Sequence, residues 1–340
     1  MLYGATGYTG RLIAREAVAR GERPVLAGRT AAVLEPLAAE LGLPYRVLDL
    51  DDATGLREAL AAVPSVAHCA GPFSTTALPM VEACLDTGTH YLDITGEIDV
   101  LERLHALGDR ARAAGVTLLP GAGFDVVPTD CLAATVAAAL PGASHLDLAF
   151  VAGGGASPGT ARSALEALDK GAGGRARING VIRDVPLGWH RVTASFRTGD
   201  RSVASVAWGD VSTAYHSTGI PNISTYTWLP AAPLVERLLA VAPVRRAARA
   251  GVDRFVRGPG ERALARTRSQ VWARARDPRG SEAQAALSAP NGYALTVDSV
   301  LRIMPRLPDL PRGTHTPSSA LGADFVLELD GVRRNGPHFG

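Results

Sequence analysis

The chain has 340 residues, 46% of them hydrophobic and 20% charged, with a formal net charge of +2. That length suits about two globular domains, and so small a net charge argues against nucleic acid as a partner. Three cysteines, Cys69, Cys84 and Cys131, are too few and too scattered for a disulfide framework or a zinc site. A reducing, cytoplasmic setting and no metal are therefore expected. No signal peptide and no apolar run of about 18 residues argues for export or a membrane span.

The first third alternates short apolar runs with stretches of helical period, the pattern of βαβ units on a parallel sheet. A strand is expected at Met1–Tyr3, short because only three residues precede the first glycine, where about five are usual. A glycine-rich turn, Gly4–Gly10, and a helix over Arg11–Arg20 follow. Further strands are expected at Pro24–Ala27, Tyr45–Leu48, Val66–Cys69, His90–Ile94 and Val116–Leu119. The intervening helices are expected at Ala31–Leu41, Thr54–Ala62, Leu78–Thr87 and Val100–Ala114. Together they make a doubly wound Rossmann domain over residues 1–120.

Beyond Pro120 the pattern changes. A strand at Leu146–Val151 precedes a second glycine-rich helix entry at Gly153–Thr160, which is either an anion-holding turn or a plain strand-to-helix turn. After Gly171–Gly174 the chain alternates as antiparallel strands from about Arg175 to Asp210. Ser269–Arg276 and Glu282–Ser288 read as a hairpin. Ala294–Met304 reads as a helix, and Asp324–Leu329 as a last short strand. Residues 121–340 are thus expected to form an α+β domain with a mainly antiparallel sheet, a base for substrate binding and for a homodimer. The apolar stripe of residues 294–304 (Ala294, Leu295, Val297, Val300, Leu301, Met304) needs a partner surface; the expectation is that this helix returns to pack on the first domain, the alternative being that it covers the back of the second domain's own sheet.

Gly4-Ala5-Thr6-Gly7-Tyr8-Thr9-Gly10 stands between a strand and a helix. Its glycines let the backbone approach a pyrophosphate, and the helix N-terminus supplies N–H groups and partial positive charge. About twenty residues on, where an NAD site places a carboxylate on the ribose, the chain reads Ala27-Gly28-Arg29-Thr30. Arg29 is a fixed cationic fork suited to a 2′-phosphate and Thr30 adds a hydroxyl, so NADP(H) is the expected cofactor. Asp49, at the end of the third strand, either faces the adenine or caps the next helix.

These residues, with His68-Cys69-Ala70-Gly71-Pro72-Phe73, Gly88–Glu97 and Pro120–Asp130, resemble the saccharopine dehydrogenase-like NADP-binding oxidoreductases, and within them the branch of the trans-acting enoyl reductases. The resemblance is dense over the first domain and looser at Thr316–Ala320. It implies an NADPH-dependent reductase that delivers hydride to an activated C=C bond of a lipid-like enoyl group or to a C=N bond. A saccharopine-type amino-acid dehydrogenase and a non-catalytic NADP(H)-binding sensor are the alternatives.

Ligands of open parallel sheets sit at the carboxyl ends of the strands. Cys69, Ala70, Gly71 and Pro72 are expected beside the nicotinamide ribose, with Phe73 facing substrate. Asp93 and Glu97, with Tyr91, are candidates for proton transfer, although Asp93 would equally serve to cap the turn carrying Thr95. Asp125 and Asp130 either face substrate or cap the helix that begins near Cys131. Tyr215 and His216 are a candidate donor pair from the second domain.

The cations are almost all arginine. Lys170 is the single lysine, and residues 235–276 hold eleven arginines against three carboxylates. That stretch reads either as a solvated helical face or as a basic lid for an acidic partner, a membrane surface or an acyl-carrier-bound substrate.

The Arg29 assignment predicts a marked preference for NADPH. Arg29→Asp should weaken NADPH binding about 10-fold or more, worth about 1.4 kcal/mol or above. Calorimetric titration with NADPH and NADH checks this; equal affinity of the wild type for both would refute the assignment.

Overall fold

The computed structural model describes residues 1–153, 174–228 and 258–340. The expected turn at Gly154–Thr160, Lys170 and residues 235–257 of the arginine-rich stretch lie outside them. The chain divides into two units, one of Met1–Phe124 with Tyr293–Thr316, the other of Asp125–Gly292 with Pro317–Gly340.

The first unit opens with β1 (Leu2–Tyr3), α1 (Tyr8–Ala19), β2 (Leu26–Gly28), α2 (Ala31–Leu41), β3 (Tyr45–Val47) and α3 (Ala53–Ala61). It continues through β4 (Ser65–His68), α4 (Phe73–Thr87), β5 (His90–Asp93), α5 (Ile98–His105), α6 (Gly108–Ala113) and β6 (Thr117–Leu119). The second unit starts with α7 (Val127–Ala139), β7 (His145–Val151), β8 (Gly174–Ile178), β9 (Val181–Val185), β10 (Arg191–Phe196) and β11 (Gly199–Val206). Then come α8 (Asp210–Thr218), β12 (Asn222–Thr227), α9 (Glu261–Arg266), β13 (Ser269–Arg276) and β14 (Glu282–Ala289). The chain returns to the first unit as α10 (Gly292–Ile303) and β15 (Gly313–Thr314), and ends in the second as α11 (Pro317–Leu321) and β16 (Arg333–Phe339). Among the described residues no helix is long and apolar enough to cross a membrane.

The first sheet runs β3-β2-β1-β4-β5-β6-β15, parallel at every pair. Six strands follow the doubly wound order, in which β1 and β4 flank the switch point. The seventh, β15, is supplied by the returning segment. Gly313 N donates to Val116 O at 2.9 Å and His315 N to Leu118 O at 2.9 Å, which covers the edge of β6. Two residues leave too little pattern for a sequence reading to find it. The core under this sheet is built on Tyr3, Leu56, Leu60, Val66, Met80, Val81, Tyr91 and Leu118, all buried.

The returning segment is anchored by charge as well as by the strand. Asp298 of α10 is buried and accepts from Arg20 Nη1 at 2.8 Å, at the end of α1, and from Arg302 Nε at 2.9 Å. A buried carboxylate with two guanidinium partners meets the condition for burying charge at tolerable cost.

The second sheet, β10-β11-β12-β7-β13-β14-β16, is mostly antiparallel; β12 and β7 are its parallel pair. It curls so that β10 lies near β13 and β14, and the concave side is filled by Phe196, Val203, Tyr226 and Trp272. Buried Asp147 on β7 accepts from Tyr226 Oη at 3.0 Å and from Arg274 Nη2, on its partner strand β13, at 2.9 Å.

Four expectations are corrected. The helix expected from Leu78 begins at Phe73, because a carboxylate from elsewhere in the chain satisfies its first amides. The helix expected over Val100–Ala114 breaks into α5 and α6. Asp324–Leu329 forms no strand: Phe325–Glu328 is a short 3-10 turn that buries Phe325 and Val326, and the last strand is β16, whose mixed polar sequence carries no alternation. The helix after Asp125 starts at Val127 rather than near Cys131, with Pro128 in its first turn, a position that wastes no hydrogen bond. In sequence the first segment of unit one ends at Phe124 and the second unit begins at Asp125.

Candidate cofactor site

The turn after β1 is held by backbone contacts that only glycine permits. Gly4 has φ +80°, and a Cβ there would lie 2.7 Å from Ala70 N and 2.8 Å from the Cys69 carbonyl carbon. A Cβ on Gly10 would lie 2.2 Å from Gly4 O, so α1 crosses directly over the turn. Gly7 differs: a Cβ there would meet Gly4 O at 3.3 Å and nothing else. The outer side of Gly7 is thus open, and it precedes a helix whose first turn has no side-chain cap. A dinucleotide pyrophosphate fits such an opening, with N–H groups and the positive helix end facing it. Thr6 O accepts from Arg11 Nε at 2.9 Å, which braces the turn, and Thr6, Tyr8 and Thr9 are half-buried.

Arg29 leaves β2 exposed, and among the described residues its guanidinium has no hydrogen bond or ion pair. Thr30 is exposed and precedes α2 without its hydroxyl capping that helix. Of the two roles open to Asp49, helix capping belongs to Asp52, whose Oδ1 accepts from Gly55 N at 3.0 Å. Asp49 accepts from Asp51 N at 3.1 Å and is exposed. Burial pushes the Tyr3 phenol up to about 12; Arg29 pulls it down and Asp49 and Asp51 push it up, all by smaller effects.

At the end of β4, Gly71 and Pro72 are exposed while Cys69 and Ala70 are half-buried. Burial lifts the Cys69 thiol to about 12, which suits packing rather than nucleophilic chemistry. Phe73 does not face outward: it is buried, its ring 5.4 Å from that of His68. His68, a residue sequence reasoning passed over, is wholly buried with Nε2 3.2 Å from Ala70 O. Desolvation lowers it to about 4, so it is neutral at physiological pH.

The three proton-transfer candidates are engaged in hydrogen bonds within the protein. Tyr91 and Asp93 are wholly buried, and Tyr91 Oη donates to Asp93 Oδ2 at 2.7 Å. Asp93 Oδ1 accepts from Thr95 N at 3.0 Å and from Gly121 N at 2.9 Å. Asp93 therefore caps its own turn and also ties β5 to the chain leaving β6. Glu97 accepts from Phe73 N at 3.0 Å and from Ser74 N at 2.8 Å, so it caps α4. No spacing rule would have linked Glu97 to a helix that starts 24 residues earlier.

In the second unit Asp125 is half-buried, and desolvation raises its carboxyl to about 6. Asp130 is buried in the first turn of α7, where Oδ2 accepts from Ser318 N at 2.7 Å. Neither caps α7, whose preceding residue is Val126. Asp210, buried at the start of α8, is a third carboxyl beside them; burial, with Asp130 and Asp125 adding to it, holds its proton well above the usual carboxylate range. Tyr215 lies under the guanidinium of Arg177 at 4.2 Å, and exposed His216 has its ring 5.8 Å from that of Tyr215. Tyr215 is thus a packing partner for a buried cation.

The parallel order, the glycine turn over its switch point and the unpartnered arginine beyond β2 define a dinucleotide-binding domain of the Rossmann type. Residues 1–119 match the family model described as "Saccharopine dehydrogenase NADP binding domain". The chain is 37% identical over 139 residues to the trans-acting enoyl reductase of Mycobacterium leprae, covering 38% of this chain and 33% of that protein. It is 33% identical over 150 residues to the saccharopine dehydrogenase-like oxidoreductase of Mus musculus, covering 38% and 35%. The alignments span about a third of the length of these curated relatives. Among solved structures, saccharopine dehydrogenase (L-Glu forming) of Saccharomyces cerevisiae aligns with 98% of this chain and 99% of its own, at TM-score 0.64 and 14% identity. The homospermidine synthase of Legionella pneumophila, solved in complex with NAD, aligns with 98% of this chain and 90% of its own, at TM-score 0.66 and 11% identity. Both share the fold.

The contrast among the glycines predicts separable defects. Gly7→Val should leave the protein folded and abolish NADPH binding, because its side chain enters the open side of the turn. Gly10→Ala should compromise the fold itself, because its Cβ has no room. Circular dichroism with calorimetric titration checks both; a folded Gly7→Val that binds NADPH normally would refute the cradle.

Asp93 gives a pH prediction. Its folded pKa is about 6 against an ordinary 3.8, so its contribution to stability is present below 3.8 and is lost as pH rises through 6. Asp93→Asn keeps an acceptor for both amides and removes that loss. The variant should gain on the wild type between those two values, by at most about 3 kcal/mol. Denaturant melts across the range check this; a pH-independent gap between the two proteins would contradict it.

Proposed function

We propose that the chain is an NADPH-dependent reductase acting on an activated double bond. The observation that carries the reading is the pairing of an open glycine turn with exposed, unpartnered Arg29 at the position where an NAD site holds a carboxylate. In this reading Gly4, Thr6, Gly7, Tyr8, Thr9 and Gly10 hold the pyrophosphate, and Arg29 and Thr30 hold the 2′-phosphate, with Asp49 toward the adenine. Ala70, Gly71 and Pro72, with the Cys69 backbone, line the nicotinamide ribose. NADPH, when bound, supplies the hydride. Asp93 and Tyr91 fix the loops that carry these contacts, and Glu97 fixes the start of α4; in this reading the proton that completes the reduction comes from water. Half-buried Asp125 is the candidate for a polar substrate group.

For the substrate we favour an enoyl thioester, small or carried on an acyl carrier, over an imine. What supports this is the similarity of the first domain to trans-acting enoyl reductases. The burial of Tyr91 and Asp93 favours one alternative, a non-catalytic NADP(H)-binding protein.

Purified protein with NADPH should be offered 2-enoyl thioesters of increasing chain length and, separately, 2-oxoglutarate with an amine. Oxidation of NADPH with the thioesters alone is the expected outcome. Oxidation only with the imine-forming pair would move the substrate class, and tight NADPH binding without oxidation by either would favour the non-catalytic reading.

A further inference from the structure

Helix α10 belongs to the first unit although it arrives 168 residues after that unit's previous segment ends. Its first turn meets the carboxyl edge of the sheet at several points. The ring of Tyr293 stands edge-on to that of Tyr8, 5.0 Å between centroids and 80° between planes. Tyr8 is the first residue of α1, at the end of the glycine turn that follows β1. Three residues further along α10, Thr296 Oγ1 accepts from Phe124 N at 3.0 Å, in the segment leaving β6. A Cβ on Gly123 would come within 3.2 Å of Thr296 and 3.5 Å of Ile94, the residue after β5. One turn of helix therefore bridges the outlets of β1, β5 and β6. In sheet order β4 lies between β1 and β5, so that turn spans the outlet of β4, where exposed Gly71 and Pro72 stand. That gap is the switch point, the place where dinucleotides cross a doubly wound sheet.

We propose that Tyr293, paired with Tyr8, is a positioning residue that walls the nicotinamide half of the dinucleotide site. The proposal rests on the cofactor reading above and adds to it a residue from the far end of the chain. Tyr8 is tied to the glycine turn by the chain itself, and Tyr293 buttresses its ring at the start of a helix fixed to Arg20 through Asp298. An aromatic edge contact of this kind is worth about 0.5–1.5 kcal/mol beyond its buried area. The adenosine half, beyond β2 and β3, lies on the other side of β1 from β4 and is untouched by α10 in this scheme. The two halves of the cofactor should thus respond differently to loss of the ring.

The test is calorimetric titration of wild type, Tyr293→Ala and Tyr293→Phe with two ligands: NADPH, and adenosine 2′,5′-bisphosphate, which carries the phosphorylated adenosine half and no nicotinamide. Tyr293→Ala should bind NADPH about 10-fold more weakly and the bisphosphate within about twofold of wild type. Tyr293→Phe, which keeps the ring, should bind both within about twofold. The proposal is overturned if Tyr293→Ala binds NADPH as wild type does, or if it loses both ligands in parallel, the mark of a merely structural ring. Wild type that binds neither ligand would overturn the cofactor reading along with it.

Discussion

The first unit depends on how closely two backbones meet. Gly4 lies against the chain leaving β4, with room for a hydrogen and none for a methyl group, and α1 crosses Gly4 O at Gly10 with the same lack of clearance. These contacts set the turn at a fixed height above the sheet and aim the N-terminus of α1 across the switch point. Strand β1 is only two residues long, so the turn cannot be positioned by a long ladder. It is positioned by Gly4 N and Ala5 N, which donate to Ala27 O at 2.9 and 3.2 Å, and by steric exclusion from β4.

A second constraint lies one layer down. His68, Tyr91 and Asp93 form a buried polar group under the strand ends, and Asp93 accepts three hydrogen bonds that join β5, its following turn and the segment after β6. Burying a carboxylate is costly unless its oxygens are satisfied, and here they are. The group holds loops in place. Carboxylates at strand ends invite a catalytic reading; in this protein their hydrogen-bond partners argue for a structural one.

The first domain was largely legible because its elements are local. Alternation and turn residues located β1 to β6 within a residue or two, and the helix at Ala31–Leu41 was placed correctly at both ends. Features that depend on distant partners were not legible. Glu97 lengthens α4 by capping it from another element, and β15 completes the sheet with two residues that carry no pattern. The buried carboxyl of Asp210 gave no signal, since nothing local marks an aspartate as desolvated. The glycine turn and the absence of a carboxylate after β2 were local features, readable from the sequence. For Tyr91, Asp93 and Glu97 the residue types suggested chemistry, and the hydrogen bonds they make could be found only in three dimensions.

The account stands on the dinucleotide lying across the carboxyl edge of the first sheet with its 2′-phosphate at Arg29. A crystal structure of the protein grown with NADP⁺ tests this most directly. The account predicts pyrophosphate against the open side of Gly7 and the 2′-phosphate within hydrogen-bond distance of the Arg29 guanidinium. Density for the cofactor in the reverse orientation, or away from the glycine turn, would contradict it.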